Sequence, residues 1–274
     1  MMKIMAFDLD GTAIIAHKIM PDENRNAVIK AYESGVITVP CTGRLLSFLP
    51  EEVANLPGLK YVITCNGASV EDIENGTKLY TAFIPTEKIA EVFDIIDEYD
   101  IYAEFYSDGQ AYTVTGNPER ARTDFDFPEE KIHFTTKNYI FTDNLKEFAK
   151  ANKMVADKIN LPYLPDVIRQ EVKDRINAIE GLKLTSSISD NLEINDAGAT
   201  KGQALKHLCD YLGIDKEDCM AIGDNGNDAD MLEYAGLSYA MANASDEAMR
   251  AAKFKTGYCE EFGFRDAILK ELNK

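Results

Sequence analysis

Four apolar residues near the start of the chain, Ile4 to Phe7, lead directly into the acidic segment Asp8 to Thr12 (DLDGT). A short continuous apolar run of this kind is typical of a strand that is buried on both faces in the middle of a parallel sheet. Open α/β sheets bind ligands at the carboxyl ends of their strands. The segment therefore predicts an α/β fold with Asp8 and Asp10 at the functional edge of its sheet.

These two carboxylates are so close in sequence that their charges repel each other. A bound cation relieves such repulsion, and Mg²⁺ is a hard cation that prefers oxygen ligands. We expect one of Asp8 and Asp10 to be a metal-dependent nucleophile and the other to be its neighbouring acid/base group. A turn that uses the same carboxylates as helix caps is the alternative when this segment is considered alone.

Two more segments carry groups that suit an anion. Thr42 and Gly43 follow a second predicted strand, Val36 to Val39, where a hydroxyl and backbone N–H groups can approach a phosphate, although a plain turn has the same residues. Lys201 lies in the first turn of a helix that Thr200 is suited to cap, and a cation there opposes the helix dipole. Holding an anion is one reason for this placement, and a solvated lysine is the other.

A further acidic cluster follows the apolar run Cys219 to Ile222, in the segment Gly223 to Asp228 (GDNGND). Like Asp8, it comes directly after a predicted buried strand, so Asp224 and Asp228 are candidates for the same edge of the sheet. Asp228 is also suited to capping the helix that follows.

The order of strands and helices predicts an α/β protein with two domains. Residues 1–83 and 189–274 show the β-α alternation of a Rossmann-like parallel sheet with helices on both faces, and Tyr61 to Thr64 is expected to be its third strand. Residues 84–188 combine hairpin signals with amphipathic helices, which is typical of an inserted α+β domain on an antiparallel sheet. Leu192 to Ile194 is interpreted as the return to the first domain.

Charge and cysteine usage exclude several functions. The chain of 274 residues has 47 acidic and 29 basic residues, a net charge of −18, which disfavours nucleic acid and anionic membranes as partners. No apolar stretch approaches the ~20 residues of a membrane span, and no signal peptide is recognised. The five cysteines show no CxxC spacing, which indicates a reducing, cytoplasmic compartment.

Four segments in this order resemble the haloacid dehalogenase-like superfamily: DLDGT at Asp8, CTGR around Thr42, the lone Lys201, and GDNGND around Asp224. The large insertion between the second and third resembles the Cof-type sugar-phosphate phosphatase branch. Further similar segments are CNGA from Cys65, TKGQAL from Thr200 and AMANA from Ala240. Ala242 and the tail Gly257-Tyr258-Cys259 depart from the usual pattern of this branch. These departures leave the identity of the substrate undetermined but do not affect the predicted chemistry.

The resemblance implies a phosphatase that works through a phosphorylated aspartate. Asp8 attacks phosphorus, and Asp10 first protonates the leaving alcohol and then activates water. Mg²⁺ is held by Asp8, the Asp10 backbone carbonyl and Asp224, with Asp228 holding metal waters or orienting Asp224. The implied ligands of the phosphoryl oxygens are Leu9, Thr42, Gly43, Lys201 and Asn227.

Two other functions share this site. A sugar phosphomutase returns the phosphoryl group to a sugar, and a non-enzymatic phospho-aspartate switch changes partner binding. The acid/base group at Asp10 favours hydrolysis over a long-lived phosphoenzyme. Residues 84–188 are expected to act as a cap that contacts the leaving group of a sugar phosphate or a related metabolite. Which metabolite this is, and the oligomeric state, are not specified by any motif.

Overall fold

The computed structural model describes residues 2–16, 19–99, 101–123, 139–186 and 191–274. The chain forms two compact units. The first contains the residues up to Thr81 together with Ala199–Lys274, and the second contains Ala82–Gly198. Among the described residues, no helix has both the length and the apolar character needed to cross a membrane.

The strands of the described part are β1 (Ile4–Phe7), β2 (Ile37–Pro40), β3 (Tyr61–Thr64), β4 (Ser69–Asp72), β5 (Thr77–Thr81), β6 (Glu104–Ser107), β7 (Gln110–Val114), β8 (Tyr139–Thr142), β9 (Lys158–Leu161), β10 (Leu182–Thr185), β11 (Leu192–Asp196), β12 (Cys219–Gly223), β13 (Leu237–Ala240) and β14 (Phe254–Lys255).

The α-helices of the same residues are α1 (Asp22–Glu33), α2 (Glu51–Ala54), α3 (Thr86–Ile96), α4 (Asn117–Thr123), α5 (Leu145–Ala151), α6 (Asp166–Asn177), α7 (Lys201–Leu212), α8 (Ala229–Tyr234), α9 (Asp246–Ala251) and α10 (Gly263–Leu272).

The first unit is built on a parallel sheet with the strand order β14-β13-β12-β1-β2. All four residues of β1 are buried, as the apolar run predicted. In its ladders, Phe7 pairs with Ile222 of β12 and with Pro40 of β2. The residues that follow these three strands therefore meet at one edge of the sheet, which brings DLDGT, CTGR and GDNGND together.

Helices cover both faces of this sheet, and the predicted α/β class is confirmed. Because side chains alternate along a strand, Met5 and Phe7 pack into one core cluster with residues of α1 and α10. Ile4 and Ala6 pack into another cluster, with residues of α7 and α8.

The third predicted strand is not part of the parallel ladder. β3 pairs antiparallel with β4, and β4 with β5, in a separate three-stranded sheet. A parallel bridge between Cys41 and Ile63 joins it to the segment after β2, with the Thr42 N–H donating to the Ile63 carbonyl at 2.9 Å and the Asn66 N–H donating to the Thr42 carbonyl at 3.0 Å. The chain reverses direction directly after β3, so the backbone groups of β3 form their hydrogen bonds with the adjacent strand β4. The hairpin predicted from Asn75-Gly76 is confirmed.

The second unit is built on a six-stranded sheet with the order β10-β11-β9-β6-β7-β8. All its neighbouring pairs are antiparallel except β7–β8. One face of the sheet, which includes Phe105, Ile159 and Ile194, shares a core cluster with residues of α3, α5 and α6. The inserted α+β domain predicted from hairpins and helices is confirmed.

The interpretation of Leu192 to Ile194 as a return to the first domain is wrong. β11 pairs antiparallel with both β9 and β10, and Leu192 and Ile194 complete the core cluster of the second unit. The predicted boundary at 188/189 lies outside the described residues. The observed division falls between Gly198 and Ala199, directly before the residue that caps α7.

Gly67 sets the close approach between the turn after β3 and the start of α7. Its φ is +96°, in the left-handed region, and a β-carbon at this position would overlap the Thr200 carbonyl oxygen. A side chain is therefore excluded both by the backbone conformation and by the neighbouring helix.

We expect Gly67→Ala to lower the free energy of unfolding by about 3 kcal/mol, because the overlap adds to the cost of the left-handed conformation. Gly76→Ala is the matched control, since Gly76 also has a positive φ but would meet no heavy atom within 4 Å. Its expected loss is about 1 kcal/mol. Urea unfolding measures both variants, and equal losses would show that the contact with Thr200 adds nothing.

Candidate active site

A buried lysine lies between two carboxylates at the edge of the parallel sheet. Lys201 Nζ is 2.5 Å from Asp8 Oδ1 and 2.6 Å from Asp228 Oδ1. Lys201 and Asp228 are fully buried, and Asp8 is 5% exposed. Buried charges persist only when they are paired. The position of a cation in the first turn of α7 is thereby explained, and the alternative of a solvated lysine is wrong.

Burial and pairing shift the proton affinities of these groups. Burial raises the pKa of the Asp8 carboxyl well above its ordinary value, although the charge of Lys201 acts in the opposite direction. Burial also lowers the pKa of Lys201, but the carboxylates of Asp228 and Asp8 outweigh it and leave that pKa well above the ordinary value. Lys201 is therefore a permanent cation in the site.

Asp228 uses both of its carboxylate oxygens within the protein. Oδ1 accepts from Lys201, and Oδ2 accepts the backbone N–H groups of Asp224 and Asn225, each at 2.9 Å. It thereby closes the loop Gly223 to Asp228 in a capping box with Asn225. Asp228 is the N-cap residue of the following helix, α8, as predicted, but its side chain makes no capping hydrogen bond to that helix.

Asp224 is oriented by the first segment of the site. The Thr12 hydroxyl donates to Asp224 Oδ1 at 2.7 Å. Gly11 has a φ of +86°, and a β-carbon there would crowd Asp224 Oδ2, so glycine lets this backbone come close. Burial, and after it the charge of Asp228, raises the pKa of Asp224 to about 7.

Asp10 is held by a residue to which sequence reasoning assigned no role. Arg44 donates to both Asp10 oxygens, with Nε to Oδ2 at 2.8 Å and Nη2 to Oδ1 at 2.6 Å. Its Nη1 donates to the Phe48 carbonyl at 3.3 Å, which fixes the guanidinium. The position of Arg44 shortly after β2 is the sequence signal that could have identified it. β2 ends beside β1 in the sheet, and a guanidinium can bind a carboxylate through two hydrogen bonds.

The other predicted binding residues lie on the loops at the same sheet edge. Thr42 is buried, and its hydroxyl accepts the backbone N–H of Arg44 at 3.2 Å. Asn227 donates through Nδ2 to Asn66 Oδ1 at 3.0 Å, which connects CNGA to GDNGND. Leu9 is buried within DLDGT, and Gly43 follows Thr42. Asn66 is a second residue that sequence reasoning left without a role.

The aspartates offer oxygen ligands for a cation. One carboxylate oxygen each from Asp8, Asp224 and Asp228 lies within 4.8 Å of the others. When all are ionised, these three groups and Asp10 carry four negative charges, against two positive charges from Lys201 and Arg44. The excess of two matches a divalent cation, and an all-oxygen donor set suits a hard one. Among the described residues, Asp8 Oδ2 and Asp224 Oδ2 accept no hydrogen bond.

The family model described as haloacid dehalogenase-like hydrolase matches residues 5–268. The chain belongs to this family. The family, its Cof-type branch and the class of phosphoric monoester hydrolase are confirmed as the motifs predicted.

Individual relatives match along nearly their whole length. The 5-amino-6-(5-phospho-D-ribitylamino)uracil phosphatase YcsE of Bacillus subtilis is 30% identical over 97% of this chain and 94% of its own. Phosphatase YwpJ of the same organism is 28% identical over 96% and 97%. The solved structure of a haloacid dehalogenase-like hydrolase from B. subtilis has a TM-score of 0.82 at 26% identity, covering 98% of this chain and 99% of that one.

We expect Asp224→Asn to raise the free energy of unfolding by about 4 kcal/mol at pH 8 in EDTA, because it removes a buried charge. Folding raises the pKa of Asp224 to about 7, so its ionisation destabilises the folded state. The gain should therefore shrink as the pH falls from 8 towards 4. Urea unfolding across this pH range measures it.

The control is Asp210→Asn, the same charge change at an exposed residue near the end of α7. An equal gain in this control would contradict the assignment to burial. Excess Mg²⁺ should then stabilise the wild type more than the Asp224 variant.

Proposed function

We propose that this protein hydrolyses phosphate monoesters of small metabolites through a phosphorylated Asp8. The supporting observation is the asymmetry of the Asp8 carboxylate. Oδ1 is held by Lys201 at 2.5 Å, whereas Oδ2 accepts no hydrogen bond among the described residues. One oxygen is fixed, and the other retains its lone pairs for in-line attack on phosphorus.

Mg²⁺ is the proposed cofactor, held by Asp8, the Asp10 backbone carbonyl and Asp224. When bound, it neutralises charge on the nucleophile and on the phosphoryl group. Because both Asp228 oxygens already accept hydrogen bonds from Lys201, Asp224 and Asn225, Asp228 orients the Asp224 loop in this account.

Lys201 stabilises the negative charge that develops on the transferring phosphoryl group. It is joined in the proposal by the Thr42 hydroxyl, the backbone N–H groups of Leu9 and Gly43, and Asn227. A local cation is required because the whole chain carries a net charge of −18, which repels a phosphate ester.

Asp10 protonates the leaving oxygen and then takes a proton from the water that attacks the aspartyl-phosphate. Arg44 acts as a positioning residue for both steps. Its two parallel hydrogen bonds fix the plane of the Asp10 carboxylate, and its contact with the Phe48 carbonyl fixes its own plane.

Sugar phosphates and related metabolites are the proposed substrates. The relative YcsE is named for a substrate with a phosphorylated ribityl chain, and this supports a hydroxylated leaving group. The proposed phosphate ligands in the first unit bind a group that all phosphate monoesters share, so we assign selection of the leaving group to the second unit. A cytoplasmic location and the absence of nucleic-acid partners stay predictions.

Asp8→Asn keeps the shape of the side chain and removes the nucleophile. We expect kcat with p-nitrophenyl phosphate and Mg²⁺ to fall by about 10⁴-fold or more, measured as release of free phosphate. Asp210→Asn, with the same charge change, should retain wild-type turnover. Substantial turnover by Asp8→Asn would contradict the covalent mechanism. Full wild-type activity in excess EDTA would contradict the proposal that the enzyme needs Mg²⁺.

Arg44→Lys keeps the charge and removes the paired hydrogen bonds to Asp10. We expect kcat to fall by about 10- to 100-fold for an alkyl phosphate, with a smaller loss for p-nitrophenyl phosphate, whose leaving group needs no proton. The matched control is Arg175→Lys, because Arg175 makes the same two-pronged contact with Glu98 in the second unit. Equal losses for both substrates would show that Arg44 does not act through Asp10.

A further inference from the structure

The segment that follows β13 is fixed to the loop that carries Asp224. It consists of residues 241–245, here called the bridging segment, and it contains most of the AMANA motif, to which the proposed function gives no role. The Met241 N–H donates to the Gly223 carbonyl at 3.0 Å. The Ser245 N–H donates to the Asp224 carbonyl at 2.8 Å. These two hydrogen bonds hold the bridging segment against the loop after β12 at both of its ends.

Asn243 joins the bridging segment to the loop that carries Asp8 and Asp10. Its Nδ2 donates to the Gly11 carbonyl at 2.9 Å. Its Oδ1 accepts the backbone N–H of Cys259 at 3.1 Å, so both ends of the amide are engaged. Asn243 is an exposed residue, and an exposed amide can satisfy its hydrogen bonds with water. Its two hydrogen bonds to the backbone of distant segments therefore indicate a positional role.

Cys259 supports the same loop a little further along the chain. The residue is 2% exposed, and its Sγ lies 3.4 Å from the Thr12 carbonyl oxygen and 3.5 Å from that of Ile14. Cys259 belongs to the tail that departs from the usual pattern of the branch. In this chain the tail and the bridging segment act together, because Asn243 binds Cys259 and both side chains hold carbonyls of the loop after β1.

The contact through Asn243 supplements a direct contact between the two acidic loops. The Thr12 hydroxyl donates to Asp224 Oδ1 at 2.7 Å. Asn243 adds an indirect connection, from the Gly11 carbonyl through the bridging segment to the Asp224 carbonyl. Loss of this connection leaves the strands in the sheet but gives the loop ends more freedom to change their spacing.

The spacing of the two loops bears on which cation they hold. Mg²⁺ requires near-octahedral geometry with oxygen ligands at about 2.0–2.1 Å, whereas Ca²⁺ accepts more variable geometry at about 2.3–2.6 Å. A site whose ligands come from two loops therefore favours Mg²⁺ only if the loops are held at a fixed spacing.

We propose that Asn243 is a positioning residue for the metal site, and that its contact with the Gly11 carbonyl makes the site selective for Mg²⁺ over Ca²⁺. The inference rests on the proposed function for the metal and its ligands. Asn243 is not itself a ligand in this account, because its Oδ1 is bound to Cys259 and its Nδ2 to Gly11.

The test measures metal binding directly, by isothermal titration calorimetry with MgCl₂ and with CaCl₂ in the absence of phosphate. We expect Asn243→Ala to raise the Kd for Mg²⁺ by about 10-fold, as is typical of residues that orient metal ligands. The Kd for Ca²⁺ should rise by less than about threefold, because the larger ion tolerates a change in spacing. The readout is the ratio of the two Kd values, since partial unfolding would weaken the binding of both ions equally.

Asn152→Ala is the matched control. Asn152 is also an exposed amide, and its Nδ2 donates to the Phe148 carbonyl at 2.8 Å within the second unit. Neither Kd should change by more than about twofold in this variant. Asn243→Leu, which keeps the side-chain volume, serves if Asn243→Ala does not fold. An unchanged Kd for Mg²⁺ in the folded Asn243 variant, or an equal rise for the two ions, would overturn the inference. So would an equal change in Asn152→Ala.

A phosphate-release assay on the same preparations separates this inference from the proposed function. If the wild type binds Mg²⁺ and Asn243→Ala shows the expected change in the Kd ratio, but no phosphate ester is hydrolysed, the proposed function is refuted and the role of Asn243 stands. Hydrolysis by the wild type together with an unchanged Kd ratio in the variant would refute the role of Asn243 alone. Absence of Mg²⁺ binding to the wild type would refute both.

Discussion

The ion pairs of Lys201 with Asp8 and Asp228 are the constraint on which the site depends. The three residues come from the end of β1, the first turn of α7 and the loop after β12, and all are buried. Buried charges destabilise a fold unless their partners are held in place. The end of β1, the first turn of α7 and the loop after β12 must therefore keep fixed positions relative to one another. Among the described residues, Asp8 Oδ2 and Asp224 Oδ2 accept no hydrogen bond. When the four aspartates are ionised, the charges of Lys201 and Arg44 leave two negative charges in excess.

The features that local sequence predicts are those determined by neighbouring residues. The apolar run before DLDGT indicated a strand buried on both faces, and carboxylates at its end follow from the geometry of parallel sheets. The helix after Thr200 was predicted from its cap and from Gly213, and the structure has both, with the Thr200 hydroxyl accepting the Gln203 N–H at 3.1 Å. The electrostatic cost of placing Lys201 there was also visible in the sequence.

The features that sequence reasoning missed depend on partners far away in the chain. The alternation of β11 suits any half-covered sheet, and only the available edges of β9 and β10 decide which sheet it joins. The contact between Arg44 and Asp10 spans 34 residues, and the direction of the arginine side chain is not written in its local spacing.

The central claim is that Asp8 carries the phosphoryl group during turnover. The most direct measurement uses Asp10→Asn with p-nitrophenyl phosphate and Mg²⁺, because this substrate needs no general acid whereas hydrolysis of the intermediate needs the base. After rapid acid quenching, mass spectrometry of the digested protein should find one phosphoryl group on the peptide that contains Asp8. Nitrophenol release with no phosphorylated peptide, or a phosphoryl group on another residue, would contradict the account.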